Sequence, residues 1–188
     1  VFPGEQGGPH INTIAALALA FKEAQTDHFK NLQKQIINNA VAFADQLKAR
    51  GLRVPYDGTD THIVLLDCKS IKAEDGAYLS GDMGARILDV AGIVANRNTI
   101  PGDRSAFSAT GVRFGTAWLT QRGFEEKEHM TIADIIADLF AATTPYNMPG
   151  RRSPKRRAKV AFEALEKAKL AVKNLAEKAE DFTQSEIH

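Results

Sequence analysis

Between residues 96 and 124 the sequence allows neither a long helix nor an unbroken strand, and the rest of the chain must fit around that stretch. Pro101-Gly102-Asp103 is turn chemistry: proline presets φ, glycine tolerates positive φ, and aspartate bonds its own backbone. Gly111-Val112-Arg113-Phe114-Gly115-Thr116 then alternates, so Val112 and Phe114 share one face of a short strand and Arg113 takes the other. The flanking glycines allow another backbone or a ligand to approach closely. An arginine fixed there, beside a polar loop, suits a carboxylate or phosphate, because its fork donates two parallel charge-assisted bonds. The same position equally suits a solvated or ion-paired surface arginine.

The 188 residues can hold one domain, or one domain with an appendage. Apolar content of 44% and charged content of 25% place the chain among ordinary soluble globular proteins. One cysteine, Cys68, excludes an internal disulfide and a thiolate zinc site and fits a reducing compartment, so a cytoplasmic location is expected. The most apolar run, residues 13–21, is too short to span a bilayer, so no membrane partner is expected. Charge is uneven. Residues 151–188 carry ten Lys or Arg against six Asp or Glu, whereas residues 1–150 carry 14 against 17. The basic excess is densest at Arg151-Arg152-Ser153-Pro154-Lys155-Arg156-Arg157. Such a cluster can touch nucleic acid, but a solvated face is the simpler account, and nucleic acid is not expected as a partner.

Along the chain, a glycine- and proline-rich run over residues 1–9 leads into a stretch, residues 10–24, that is helical by propensity and apolar nearly all round. That helix should be buried. Backbone N–H groups of a glycine loop ahead of a helix can bind an anion; a tight connection without a ligand is the alternative. Thr26 or Asp27 can cap the next helix, in which Phe29, Leu32, Ile36, Ala40, Phe43 and Leu47 form one face and Gly51 is the stop. Short strands are predicted over residues 52–54 and 62–66, around a turn at residues 56–60. His62 has no second ligand at metal spacing and reads as a structural histidine; no metal site is expected. Residues 70–79 read as a polar surface insertion. Ser80 can cap a helix with Met83, Ile87, Leu88 and Ala91 inward, closed by Gly92. Residues 124–143 predict a further helix with Met130, Ala133, Ile136, Ala137 and Phe140 inward. Helices alternating with a few short strands give a small α/β layer, a sheet with helices packed on it. Residues 145–150 read as a linker. Beyond it, Ala158, Ala161, Leu165, Ala168, Val172, Leu175, Ala179 and Phe182 form a heptad-like seam on one long helix.

The run Asn96-x-Asn98-Thr99-Ile100-Pro101-Gly102-Asp103, followed by Ser105-x-Phe107, Gly111-Val112-Arg113-x-Gly115-Thr116 and Thr120-x-Arg122-Gly123-Phe124, resembles the C-terminal part of the serine hydroxymethyltransferases. The opening Val1-Phe2-Pro3-Gly4-Glu5-Gln6-Gly7-Gly8-Pro9 is similar to the V-F-P-G-x-Q-G-G-P signature of the same family. Two ordered motifs about a hundred residues apart make the resemblance specific. It covers roughly residues 1–143. The family usually has proline after Gly-Thr, where this chain has Ala117 and Trp118.

The resemblance implies the C-terminal small domain of a fold type I (aspartate aminotransferase-like) enzyme dependent on pyridoxal phosphate, with a helical tail. On that reading, residues 1–25 are the end of the large domain and the connecting helix, residues 26–143 the small α/β domain, and residues 144–188 a linker and helical tail. The complete enzyme would interconvert serine and glycine and pass a one-carbon unit to or from tetrahydrofolate. Arg113 would hold the substrate carboxylate. Gly7 and Gly8 would lie at the cofactor phosphate bound by the neighbouring subunit of a homodimer or dimer of dimers, with Glu5 pointing away. Asn98, Ser105, Ala106 and Phe107 would contact the folate, and Arg122 would give structural support. The family's cofactor-holding lysine lies in a Thr/His-rich motif upstream of the opening signature. No stretch here matches it, so an N-terminal large domain is expected as partner and no catalytic residue is expected in this chain. Two alternatives stay open: another fold type I enzyme, such as an aldolase or aminotransferase, and a non-catalytic assembly or nucleic-acid-binding fragment.

Overall fold

The structure, a computed structural model, describes residues 4, 5, 7–149 and 155–185, with side chains through Ala179. Residues 1–3 and 6 of the opening signature, residues 151–154 of the basic cluster and the Phe182 side chain lie outside the described residues. The chain divides into two compact units, Val1–Lys34 and Gln35–His188.

The first unit holds helix α1 (Ile11–Ala24) and the first turns of α2 (Asp27–Ala49). Thr26 is the residue that caps α2: its hydroxyl accepts the Phe29 N–H at 3.2 Å and donates to the Glu23 carbonyl at 2.7 Å. Helix α1 forms as its propensity requires, but the expected burial is absent. None of its residues is buried, and Ile11, Leu19 and Phe21 are each about two-thirds exposed, at 67%, 68% and 64%. A unit of this size cannot enclose a helix that is apolar on every side.

In the second unit the C-terminal part of α2 carries the expected stripe inward, and Ile36, Ala40, Phe43 and Leu47 are buried. The helix stops where Gly51 takes φ +80°, with Gly51 N–H bonded to the Lys48 carbonyl and Leu52 N–H to that of Leu47. The same pair of bonds, through Gly92, closes α3 (Gly81–Val90), which Ser80 caps by accepting the Met83 N–H. Helix α4 (Ala117–Gln121) is short, and α5 (Glu126–Ala141) starts where Glu128 reaches back to the Glu125 N–H at 3.1 Å. Met130, expected inward on α5, is 40% exposed.

Three strands, β1 (Ile63–Asp67), β2 (Asn96–Asn98) and β3 (Gly111–Gly115), form an antiparallel sheet in the order β1-β3-β2. Val64, Leu66, Val112 and Phe114 point to one face and are buried with α2, α3 and α5; Phe43 meets Phe114 edge to face at 5.3 Å. This is the expected mixture of helix and sheet. The strand expected at residues 52–54 reduces to a single bridge between Arg53 and Asp67. Pro55 and the positive φ of Tyr56 and Asp57 turn the chain away before a second pairing forms. Residues 70–79 are a surface loop only in part, with Ser70, Lys72 and residues 74–76 exposed. Ile71 and Leu79, and Ala73 and Ala77, bond backbone to backbone, and Ala77 and Leu79 are fully buried at 2% and 0% exposure.

The largest departure is in the last fifty residues. The expected linker is β4 (Thr143–Met148), antiparallel to β5 (Lys155–Val160) with Thr143 opposite Val160 and Met148 opposite Lys155. Along β5, Lys155, Arg157 and Lys159 are exposed, while Arg156, Ala158 and Val160 are half-buried. The strand period is present but carried partly by an arginine stem: Arg156 stacks 4.2 Å over the Tyr78 ring. Helix α6 (Phe162–Ser185) therefore starts after Ala158, which belongs to β5. Its inward side chains, Leu165, Ala168, Val172 and Leu175, pack on the unit's own core along α5 and beside Gly92, where an added Cβ would stand 3.3 Å from Val172 Cγ1. Asp138 of α5 stands between Arg50 at 2.5 Å and Lys167 at 3.6 Å. Among the described residues no helix is long and apolar enough to cross a membrane.

His129 of α5 is 2% exposed. Its Nδ1–H donates to the Glu125 carbonyl at 2.9 Å and its ring meets Phe124, while Nε2 has no partner among the described residues. Burial pushes its pKa below the ordinary value, against the opposing pull of the Glu125 carbonyl, Glu128 and Glu126. The unfolded chain thus binds a proton near pH 6.5 that the folded chain refuses. Stability should fall as pH drops below about 6.5, by at most about 1.4 kcal/mol per pH unit from this group. Urea melts of wild type and His129→Leu between pH 5 and 7.5 should show this slope only in the parent. Deleting residues 162–188 should lower stability by about 3–5 kcal/mol, since four apolar side chains lose partial burial. The thermal midpoint measures it.

Candidate functional site

Residues directly opposite across an antiparallel pair share a face. Arg113 stands opposite Leu65 of β1 and Asn96 of β2, and Gly111 opposite Asp67 and Asn98. The face of the sheet away from the helices therefore gathers Arg113, Asn96 and Asn98. The Arg113 side chain is exposed and makes no hydrogen bond or ion pair with any described residue. By contrast Arg97, on the opposite face, lies 3.8 Å from Asp82 of α3, and Arg53 is paired to the buried carboxylate of Asp67. Gly111 and Gly115 leave both sides of Arg113 on its own strand without a side chain.

The loop between β2 and β3 carries the other expected contacts. Asn98 is half-buried and its amide donates to the Thr99 carbonyl at 2.6 Å. Ser105 accepts the Phe107 N–H at 3.2 Å and starts a single helical turn, Ala106–Ser108. Ser105 and Ala106 are exposed, and Phe107 is 93% exposed. Asp103 does not simply bond its own turn. Its carboxylate accepts from Ile100 N–H, Thr110 N–H and the Thr110 hydroxyl, and Lys69 is 3.8 Å away. Burial alone would raise its pKa, but the Thr110 and Ile100 bonds and Lys69 outweigh it and hold the carboxylate below its usual range.

Gly7 and Gly8 belong to the first unit, ahead of α1. An added Cβ at either would meet nothing within 4 Å, and the α1 N-terminus has no side-chain cap. His62 is exposed and acts through its backbone, its carbonyl accepting the Thr116 N–H at 3.1 Å. Arg122 caps the end of α4, its N–H bonded to the Leu119 carbonyl at 3.0 Å. Cys68 is buried; burial and the neighbouring Asp67 push its thiol up to about 12, so it is no nucleophile.

Two supports of the site escape a reading by pattern. Asn39 is fully buried on the apolar stripe of α2, where it donates to the Thr120 hydroxyl at 2.9 Å and the Phe124 carbonyl at 2.8 Å and accepts from Gln35. The Thr116 hydroxyl donates to the Ile36 carbonyl at 2.9 Å. Together they fasten the C-terminal end of β3 to α2. A polar residue three positions after Ile36, inside an otherwise apolar stripe, was the available signal.

The family model for serine hydroxymethyltransferase matches residues 1–136. The chain belongs to the serine hydroxymethyltransferase family. It is 45% identical over 151 residues to a probable cytosolic serine hydroxymethyltransferase of Schizosaccharomyces pombe, covering 79% of this chain and 31% of that protein. It is 47% identical over 136 residues to a mitochondrial serine hydroxymethyltransferase of Candida glabrata, covering 72% of this chain and 27% of that protein. Against a serine hydroxymethyltransferase of Prochlorococcus marinus the identity is 46% over 139 residues, with 73% and 32% covered. The chain thus spans about a third or less of the length of these relatives. Membership implies the fold type I architecture of that family.

The β2–β3 seam has little room. A Cβ on Gly111 would stand 2.3 Å from Ile100 Cγ2 and 2.8 Å from the Asn98 carbonyl. Gly111→Ala should therefore cost about 2 kcal/mol or more through overpacking, with amide shifts concentrated at Asn98 and Ile100 in NMR spectra.

Proposed function

We propose that this chain is the C-terminal portion of an enzyme that interconverts serine and glycine, exchanging the one-carbon unit with tetrahydrofolate. Residues 1–25 would end the large domain, residues 26–143 form the small domain and residues 144–188 extend it. The large domain would carry the lysine that holds the cofactor, within a homodimer or dimer of dimers. The exposed apolar surface of α1 supports this reading, since such a helix requires a covering layer.

Gly7 and Gly8 fit a phosphate: their backbone is open to close approach and leads into an uncapped helix N-terminus, whose free N–H groups and dipole favour an anion. They would hold the phosphate of the cofactor bound by the neighbouring subunit. When bound, pyridoxal phosphate supplies the electron sink for the bond broken at the amino acid's α-carbon.

The observation that carries the proposal is Arg113: an exposed arginine without a partner among the described residues, between glycines, on the open face of a sheet whose other face is core. Its guanidinium would clamp the amino acid's carboxylate through two parallel bonds, fixing which α-carbon bond is presented for cleavage. Asn98, Ser105 and the Ala106 backbone would offer polar contacts to the pterin, and Phe107 an apolar one. The loop would place the one-carbon acceptor beside the amino acid that Arg113 holds.

Arg113→Lys in the complete enzyme tests this. An ammonium cannot reproduce the fork, so kcat/KM for serine should fall by about 2–4 kcal/mol, roughly thirty- to several-hundred-fold. Serine kinetics within threefold of the parent would sink the assignment.

A further inference from the structure

The folate contacts proposed above sit on a loop whose own shape needs a cause. Ser105, Ala106 and Phe107 are exposed, and the bonds they make reach no further than Ser108. Such a segment, tethered only to itself, would sample many conformations. What joins its two ends to each other is one carboxylate. Asp103 Oδ2 accepts the Ile100 N–H at 3.1 Å and the Thr110 N–H at 2.9 Å. Its Oδ1 accepts the Thr110 hydroxyl at 2.6 Å and lies 3.8 Å from Lys69 Nζ. Ile100 and Thr110 are the two ends of the loop, both buried, and the Asp103 side chain is itself only 4% exposed. A turn aspartate satisfies its neighbours; this one joins the outgoing and returning chain across ten residues. The returning end is anchored again where the Ala109 carbonyl accepts the Gly81 N–H and that of Thr110 the Cys68 N–H.

We propose that Asp103 is a positioning residue for the one-carbon acceptor: it closes the loop and holds Ser105 to Phe107 in the conformation that receives tetrahydrofolate. The inference rests on the folate reading of this loop. Asp103 does not touch the ligand. It acts by sparing the ligand the entropy of ordering the loop, so its loss shows in folate affinity and not in the handling of serine.

Asp103→Asn, Thr110→Val, Thr110→Ser and Asn98→Ala, made in the complete enzyme, form the test. Asparagine keeps the size of the side chain but turns one acceptor oxygen into a donor. Valine removes only the Thr110 hydroxyl, and serine restores it. A loop in its receiving conformation about a tenth of the time binds about tenfold more weakly. Asp103→Asn should therefore raise the tetrahydrofolate KM about tenfold. Thr110→Val should raise it less and Thr110→Ser not at all, with serine KM within threefold throughout. Hydrogen exchange should quicken in Asp103→Asn at the Ile100 and Thr110 amides without added folate. An equal rise of serine and folate KM, or faster exchange with folate KM unchanged, overturns the inference. If Asn98→Ala weakens folate while Asp103→Asn does not, the positioning role alone falls. If neither weakens it, the folate reading of the loop fails and the inference fails with it.

Discussion

Strand β3 is paired on both edges, to β1 along its whole length and to β2 over its first half. That double pairing fixes its register. Because strand side chains alternate, a slip of one residue would send Arg113 into the core and Phe114 out to water. The core forbids the slip: Val112 and Phe114 are held among Val64, Leu66 and Phe43, and the far end is bolted to α2 by Thr116 and the Asn39 knot. The position of the exposed arginine is thus set by apolar packing on the other side of the sheet. The energy that holds the polar face is supplied mainly by the apolar packing of the opposite one.

Much of this was legible in the sequence. Alternation over residues 111–116 placed Arg113 correctly, and the spacing from Ile36 to Leu47 gave the buried face of α2, because one-sided burial leaves a clear period. Where burial is two-sided or borrowed, the signal fails. Residues 70–79 are polar enough to read as a surface loop, yet backbone ladder bonds bury Ala77 and Leu79. In β5 the inward residues are Arg156, Ala158 and Val160, and an arginine that buries its stem while its head rests on Tyr78 looks in sequence like one more exposed charge.

The site divides along the same line. The residues that would face ligands were visible because they stand in motifs. The residues that hold them, Asn39, Thr116 and Thr110, bond to partners 81, 80 and 7 positions away in sequence, and no motif or period names those partners. Asp103 was visible as a turn former, but its bond across the whole loop was not, since only the folded path brings Thr110 back to it. Helix α1 shows the converse: an all-apolar stretch announces a need for burial, and says nothing of which chain meets it.

The packing of α6 on α5 and against Gly92 bears on the order in which the molecule can be completed. Val172 lies beside Gly92, 80 positions earlier in the chain, and Lys167 reaches Asp138 only after the β4–β5 ribbon has reversed the chain. During vectorial synthesis, the sheet and α2, α3 and α5 emerge first, with the apolar groove for Leu165 and Val172 still open. Long-range closures of this kind are slow relative to helix formation. A nascent chain paused before residue 162 would present that groove to chaperones or to other chains, and the arrival of the last helix is what seals it.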